Sequence, residues 1–376
     1  MFRISSPEKS KNSRPVATQI EINSTVVSFP VLLSAAIIAG LLLSLALAGE
    51  FRAQSAGSDR RFWKTMHDTR KDDQVYVMGK VLSGDAAQAG VVILGTSSAR
   101  EALVIDDEFN ALLARQNSSL TSAVNLATGA QSPIETLLVT EAIPPREGQL
   151  FVVFISALSL KQSTLFNAIE HGGFMRPPDN LIKKYSQRGI FPSYWNRLDS
   201  RLLYHARAKR QEFYRYLNFR LKYWIVENVY AQPAPNYAPH LNVGNRPFDP
   251  AVKQRQIEAF KADLKQNHST NLTYVANTLD VLAKFLDERK CRLVIATPPE
   301  LSREMLELFP NEFRIFNEML EALQRTHQFD LLDLNLSIAW EPGDFRDLTH
   351  VNESGRLKWS KALATWLAQQ GRGKAR

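Results

Sequence analysis

Five short runs of apolar residues restrict the possible folds of this chain more than any other feature. None of them alternates with polar residues, which is typical of strands covered on both faces. The runs are "VVIL" at 91–94, "LTSAVNLA" at 120–127, "LFVVFIS" at 150–156, "CRLVIAT" at 291–297 and "FDLLDL" at 329–334. They predict five buried strands of a parallel sheet.

Helical patterns separate these runs. "EALVIDDEFNALLARQ" follows the first run, and "PIETLLVTEAI" follows the second, with Pro133 at the first helical position. Apolar residues recur at helical spacing before the fourth run, and Asn352 suits the N-cap of a last helix with one apolar face. The apolar residues of these two patterns are Val275, Leu279, Leu282 and Leu286, and then Trp359, Leu363, Trp366 and Leu367. The alternation predicts an α/β domain with helices on both sides of the sheet.

Composition excludes two classes of site. A chain of 376 residues with 44% hydrophobic and 22% charged residues has ample core for one large domain or two smaller ones. Its single cysteine rules out an intrachain disulfide and a multi-cysteine metal site. The histidines lack the mutual spacing of metal ligands, so we expect neither a metal nor a cofactor.

A segment near the N-terminus, Val26–Ala48, has 23 residues without a charge, which is long enough to cross a bilayer as a helix. We predict a transmembrane helix at 26–48 after a cytoplasmic tail at 1–25. A cleaved secretory signal is the alternative, because Ala46, Leu47 and Ala48 resemble a cleavage site. Basic residues flank both ends of the segment, so their count does not set the orientation. Either interpretation places the following domain in the periplasm, outside the inner membrane.

The remaining chain divides into a charged stalk at 49–87 that packs onto the domain, a domain at 88–370 and a basic tail at 371–376. A helical lobe at about 160–252 is expected to be inserted between the third and fourth strands. Its segment 183–222 holds 11 Lys or Arg and two acids among many aromatic residues. This segment is interpreted as an amphipathic helix pair, as a surface for anionic lipid headgroups, or as a glycan-stacking surface. Nucleic acid is not an expected partner at this location.

Residues with catalytic potential follow three of the predicted strands, where sites of open parallel sheets form. Ser97 follows the first strand, the small-residue segment 125–133 follows the second, and Asp347 and His350 follow the fifth. A carboxylate three residues before a histidine can hold the imidazole, and a serine would complete a set of nucleophile, base and orienting group.

The same segments supply candidates for binding an oxyanion and a substrate. The backbone N–H groups of Ser97, Ala127 and Gly129 are candidate oxyanion donors. Arg100 and Asn125 are weaker candidates for substrate binding. The alternative for Arg100 is an ordinary position on a helix surface.

Across roughly residues 88–370 the chain resembles the SGNH (GDSL-type) hydrolases. Gly95-Thr96-Ser97 is similar to the Gly-Asp-Ser block of that family, which selects Ser97 rather than Ser98 as nucleophile. Asp347 and His350 match the Asp-x-x-His block, and 125–129 matches the small-residue block loosely. Two features depart from the pattern: Thr96 replaces the usual Asp, and "FISALSL" after the third strand offers Ser156 and Ser159 in place of the Asn of the third block.

The resemblance implies a flavodoxin-like three-layer α/β/α fold. The layout is most similar to the membrane-anchored branch, which includes the D-alanyl transfer protein and periplasmic polysaccharide O-acetyltransferases. It implies a serine acyltransferase or esterase acting on O-acyl groups of a cell-envelope polysaccharide, with a glycan substrate and a multi-pass membrane acyltransferase as partner. The alternative is a non-catalytic SGNH-like scaffold in a polysaccharide acylation or export complex.

Overall fold

A computed structural model describes residues 33–34, 36–40, 73–104, 106–116, 120, 122–129, 131–160, 184–190, 249–265 and 268–372. The chain divides into two compact units, residues 1–49 and residues 50–376. The described residues of the first unit are helical and exposed to solvent. All that follows concerns the second unit.

The predicted transmembrane helix at 26–48 falls largely outside the described residues. Over the part of the chain that the structure describes, no helix has both the length and the apolar character that crossing a bilayer requires.

The sheet has five strands: β1 (Val91–Gly95), β2 (Ala123–Asn125), β3 (Leu150–Phe154), β4 (Arg292–Ala296) and β5 (Phe329–Leu332). Every neighbouring pair is parallel, and the order is 2-1-3-4-5, that of a doubly wound sheet. Four strands lie within their apolar runs and β1 extends one residue beyond its run, to Gly95, so the prediction of a five-stranded parallel sheet is confirmed. The central strands β1 and β3 are buried along their whole length, as continuous apolar sequences require.

The strands that precede the inserted segment alternate with five helices: α1 (Asp73–Leu82), α2 (Asp85–Gln88), α3 (Ser97–Ala102), α4 (Asp106–Arg115) and α5 (Pro133–Ala142). After it come α6 (Pro250–Lys265), α7 (His268–Asp287), α8 (Ser302–Leu308), α9 (Pro310–Thr326) and α10 (Glu353–Arg372). Two short 3-10 helices, at Ala157–Leu160 and Pro342–Asp344, lie in the connections.

Helices cover both faces of the sheet, which gives three layers. One face of β1, formed by Val92 and Leu94, packs with apolar side chains of α1, α5, α7 and α9. The other face, formed by Val91 and Ile93, packs with α3, α4 and α10. Successive strand residues point to opposite faces, so both sides of the sheet need a cover of this kind.

The long helical pattern after β1 forms two helices rather than one. Leu103 has an extended backbone and is buried, which ends α3 before Asp106 begins α4. The N–H group of Val104 donates to Ser360 Oγ of α10, 3.1 Å away. The break therefore lets α3 be short and lie at the edge of the sheet, and it ties that helix to the last one.

The segment predicted as a stalk contributes to the core of the domain. Tyr76 and Val77 of α1 and Ala86 of α2 are buried with residues of the sheet. Residues 73–87, which sequence analysis assigns to a stalk that packs onto the domain, therefore share its core. Of the predicted lobe at 160–252, the structure describes only residue 160, 184–190 and the start of α6, and Tyr185 and Ile190 lie in the same core.

The last helix begins where the sequence predicts. Asn352 Oδ1 accepts a hydrogen bond from the Gly355 N–H at 3.1 Å, as an N-cap does. Trp359, Leu363 and Leu367 are fully buried on its inner face. A Cβ added to Gly355 would overlap the carbonyl oxygen of Asp344 and stand 2.9 Å from Val351 Cβ. Only a glycine allows α10 to approach the preceding loop this closely.

We expect Gly355→Ala to destabilise the protein by about 1–3 kcal/mol, because the added methyl forces α10 away from the Asp344 carbonyl. Helix propensity alone predicts the opposite sign, a gain of about 1 kcal/mol. Urea unfolding followed by circular dichroism measures the difference. Gly343→Ala is the matched control, because a Cβ there meets nothing within 4 Å. Equal stability of the two variants would contradict the close approach.

Candidate active site

The parallel register brings the carboxyl ends of the central strands side by side. Gly95 of β1 pairs with Phe154 of β3, and Phe154 pairs with Ala296 of β4. The strand order reverses direction at β1 and β3, since β2 lies beyond β1 and the later strands lie beyond β3. Sites of open α/β sheets form outside such a point, which is the edge where Ser97 follows β1.

Gly95 sets the direction in which the chain leaves β1. Its φ of 145° lies in a region that residues with a side chain rarely adopt, and a Cβ there would stand 2.8 Å from the Phe154 carbonyl oxygen. Thr96 is extended and precedes α3, which begins at Ser97. The strand and this turn therefore deliver the Ser97 hydroxyl to the carboxyl edge.

The loop after β2 is joined to the end of β1. The Gly95 N–H donates to Gln131 Oε1 at 2.6 Å, and the Thr128 N–H donates to the Gly95 carbonyl oxygen at 3.1 Å. Gln131 is buried and also donates through Nε2 to the carbonyl oxygen of Leu126. These bonds fix the small-residue segment next to the turn that carries Ser97.

Asp347 and His350 occupy a loop that closes on itself. An antiparallel bridge joins Phe345 to Val351, and the Arg346 N–H donates to the His350 carbonyl oxygen at 3.0 Å. Within the loop, Asp347 Oδ1 accepts the backbone N–H groups of Thr349 and His350, both at 2.9 Å. The carboxylate is thus held by the backbone of its own turn.

The structure brings Ser97, His350 and Asp347 together. Ser97 Oγ lies 2.8 Å from His350 Nε2, although 253 residues separate them in the chain. His350 Nδ1 lies 2.9 Å from both carboxylate oxygens of Asp347. Both contacts are within the reach that general-base activation of a hydroxyl requires.

Electrostatics determine the direction of the two hydrogen bonds. Burial of Asp347 opposes ionisation, but the hydrogen bond and charge of His350, the Thr349 N–H and Arg346 outweigh it, so the pKa of Asp347 is lowered. An ionised carboxylate only accepts, so Nδ1 carries the hydrogen and Nε2 of a neutral ring accepts from Ser97. The side chains of His350 and Asp347 are 20% and 13% exposed, so the ring can be reached while the acid is shielded.

The candidate oxyanion donors have different surroundings. Ser97 is the first residue of α3, where a backbone N–H has no acceptor one turn earlier. The Ala127 N–H donates to Asn125 Oδ1 at 3.1 Å, in a turn closed by an asparagine side chain. The N–H of Ala127, a predicted donor, is thus engaged within its own turn. Gly129 lies exposed in the turn that follows.

Arg100 and Asn125, the weaker candidates for substrate binding, both make contacts within the protein. The Arg100 guanidinium donates to Glu101 Oε1 at 2.7 Å, and its side chain is only 14% exposed. Asn125 is buried, and its amide bonds the Ala127 N–H and, at 3.5 Å, the Arg100 carbonyl oxygen. Both side chains predicted to bind substrate therefore have partners within the protein.

Sequence analysis missed an ion-pair cluster beside the site. Glu101, with a side chain 4% exposed, is bonded by Arg100 and also by Arg346, the residue before Asp347. The signal in the sequence was the pair of charged residues, Arg100 and Glu101, between Ala99 and Ala102, which are both buried. A carboxylate on the buried face of a short helix indicates a partner from elsewhere in the fold.

A second buried carboxyl, Glu300, lies in the loop after β4. Its N–H donates to Asn335 Oδ1 at 3.2 Å. The N–H of the adjacent Leu301 donates to the Leu348 carbonyl oxygen in the loop 345–351 that carries His350, here called the histidine loop. Burial, followed by the charge of Asp333, raises the pKa of Glu300 to about 8, against a hydrogen bond from Ser156. At neutral pH the group is therefore predominantly protonated.

Over the described residues, no three His, Cys, Asp or Glu side chains are grouped so as to hold a metal ion. Comparison of the whole chain with protein-family models gives no match, and neither does comparison with curated proteins. Inferences about function therefore depend on the geometry of the site.

We expect the free energy of unfolding to fall less steeply with pH in Glu300→Gln than in the natural protein. The raised pKa means that the stabilising contribution is fully present below the unfolded value of about 4.5 and is lost as pH rises through about 8. Removing one such proton changes the slope by up to about 1.4 kcal/mol per pH unit.

Urea unfolding at pH 5, 6, 7 and 8 measures this slope. A second acid, Glu135, also has a raised pKa, of about 7, because burial outweighs the hydrogen bond from the Ser132 N–H. Its contribution to the pH dependence of unfolding is the same in every variant. Glu147→Gln is the control, because that side chain is 71% exposed. A Glu300→Gln slope equal to that of the natural protein would show that Glu300 is ionised in the folded state.

Proposed function

We propose that this chain is a serine acyltransferase or esterase of the SGNH type that acts on O-acyl groups of a cell-envelope polysaccharide. The hydrogen-bonded series from Ser97 Oγ through His350 to Asp347, at the carboxyl edge of the sheet, is the observation that carries the proposal. The order of these residues along the chain agrees with the resemblance to SGNH hydrolases.

In the proposed reaction, Ser97 Oγ attacks the carbonyl carbon of an acyl ester while His350 Nε2 takes the hydroxyl proton. Asp347 stabilises the imidazolium that forms and keeps the ring oriented. The proton then passes to the leaving alcohol as the ester bond breaks, which gives an acyl-serine. A sugar hydroxyl or water, deprotonated by His350, attacks this acyl group and releases Ser97.

The location and partners belong to the same proposal. A membrane anchor or signal at 26–48 would place the domain in the periplasm, beside glycans under construction. A multi-pass membrane acyltransferase would supply the acyl group from the other side. The flavodoxin-like arrangement of SGNH domains is supported by the 2-1-3-4-5 strand order and the two helical layers.

One observation favours the second candidate function, a non-catalytic scaffold in an acylation or export complex. The Ala127 N–H is engaged by Asn125, and Ser156 stands where the family has an asparagine after the third strand. Both features reduce the donors available to an oxyanion. A test of the hydroxyl itself separates the two functions.

We expect Ser97→Ala in the full-length protein, purified in detergent, to lower hydrolysis of a small acetyl ester on the order of 10³-fold or more. The reason is loss of the nucleophile, so the thermal midpoint stays close to that of the natural protein. Ser98→Ala is the matched control, since Ser98 is the next residue of the same helix and is buried. Undiminished hydrolysis by Ser97→Ala would remove this residue from the mechanism.

A fluorophosphonate probe tests the site without knowledge of the natural acyl group. Attack by Ser97 Oγ on phosphorus forms a phosphonate ester and expels fluoride, so intact-mass spectrometry detects one adduct. We expect labelling of the natural protein and of Ser98→Ala, and none of Ser97→Ala. A natural protein that is folded yet never labelled would favour the scaffold.

A further inference from the structure

Glu101 joins the helix that carries Ser97 to the loop that carries His350. It lies in α3, one helical turn after Ser97, and its side chain is 4% exposed. Its Oε2 is bonded by Arg346 Nη2, which belongs to the loop 345–351. The two residues are 245 positions apart, so this contact exists only because the fold brings them together.

The same cluster continues to the acid of the site. Arg346 Nε lies 3.8 Å from Asp347 Oδ2, so one guanidinium stands between the carboxylates of Glu101 and Asp347. On the other side, Arg356 Nε of α10 donates to the Glu101 carbonyl oxygen at 2.8 Å. The end of α3 is therefore held by one side chain from the loop 345–351 and one from α10, the helix that follows this loop.

We propose that Glu101 is a positioning residue that holds Arg346, and with it the Asp347–His350 loop, against the helix that carries Ser97. The inference rests on the proposed function of the site. Glu101 acts in two ways: it fixes the approach of His350 to Ser97, and it draws the Arg346 charge away from Asp347. The second action leaves the Asp347 carboxylate to the imidazolium that forms during proton transfer.

The two actions lead to opposite electrostatic effects when either partner is neutralised. Without the Glu101 charge, Arg346 turns to Asp347 and competes with the His350 imidazolium for that carboxylate. Without the Arg346 charge, the Asp347 carboxylate interacts with the His350 imidazolium without a competing cation. Both changes loosen the contact between helix and loop, and a displacement of about 1 Å costs up to about 10²-fold in rate.

Other charged groups surround the loop and are unchanged in both variants. Several elements contribute them: α3, the loop after β4, the 3-10 helix before the loop, and α10. They are Arg100, Glu300, Asp344 with its partner Lys358, Glu353 and Arg356. A difference between the two variants therefore reports on Glu101 and Arg346.

The experiment measures the rate of fluorophosphonate labelling from pH 5 to 9 with the full-length protein in detergent. We expect the labelling rates of Glu101→Gln and Arg346→Gln each to be about tenfold lower than that of the natural protein. The acidic limb of the rate profile moves to lower pH in Glu101→Gln and to higher pH in Arg346→Gln, each by on the order of half a unit. A merely structural role would slow both variants without shifting their limbs in opposite directions.

Glu141→Gln is the matched control. Glu141 also has a shielded side chain, 8% exposed, that is ion-paired with Lys184 at 3.2 Å, but it lies at the end of α5 that leads back to the amino edge of the sheet. We expect its rate and limb to equal those of the natural protein. Glu101→Asp keeps the charge on a shorter side chain, so its limb stays at the natural pH while its rate falls.

The outcomes distinguish failure of the proposed catalytic function from failure of the positioning role of Glu101. An unlabelled natural protein contradicts the proposed function itself. A labelled natural protein with wild-type rates in Glu101→Gln and Arg346→Gln, or with limbs that move together, overturns only the role of Glu101. Circular dichroism checks the fold, and if Glu101→Gln does not fold, Arg346→Gln and Glu101→Asp give the same decision from the other partner and from the retained charge.

Discussion

The packing of α10 against α3 and the loop before it is the interaction on which the site depends. Buried Trp359, Leu363 and Leu367 fix α10 to the sheet, and Gly355 lets its first turn approach the Asp344 carbonyl. Arg356 and Ser360 of α10 cap the end of α3 by donating hydrogen bonds to the carbonyl oxygens of Glu101 and Ala102. One helix therefore positions both the nucleophile and the base, which explains how residues 253 positions apart meet at 2.8 Å.

The two halves of the site are built to different degrees. The proton-transfer half has several redundant restraints: Asp347 is bonded by two backbone N–H groups and the imidazole, and its loop is closed by a bridge. In the half beside β2, backbone N–H groups of 127 and 128 are used to hold the loop itself. The described contacts therefore support activation of Ser97 more fully than they support stabilisation of the oxyanion that its attack would create.

Sequence patterns predicted the elements that repeat a simple period and missed those that depend on distant partners. The five apolar runs, the Pro133 helix start and the Asn352 cap are local signals, and each was confirmed. The break at Leu103 was not predicted, because it is stabilised by Ser360, 256 residues beyond Val104. The partner of the Ala127 N–H was also not predicted, although it is local: the asparagine two residues earlier bonds it.

Buried carboxyl groups show why a residue type alone does not reveal its role. Glu101 and Glu300 are both almost fully buried, and both lie in segments next to the histidine loop. Glu101 has two arginines as partners, whereas burial, followed by the charge of Asp333, raises the pKa of Glu300. The first arrangement carries a charge that can orient a neighbour, and the second favours a neutral acid. The difference comes from Arg346 and Asp333, which both follow β5 and meet glutamates that follow β1 and β4 only in the folded chain.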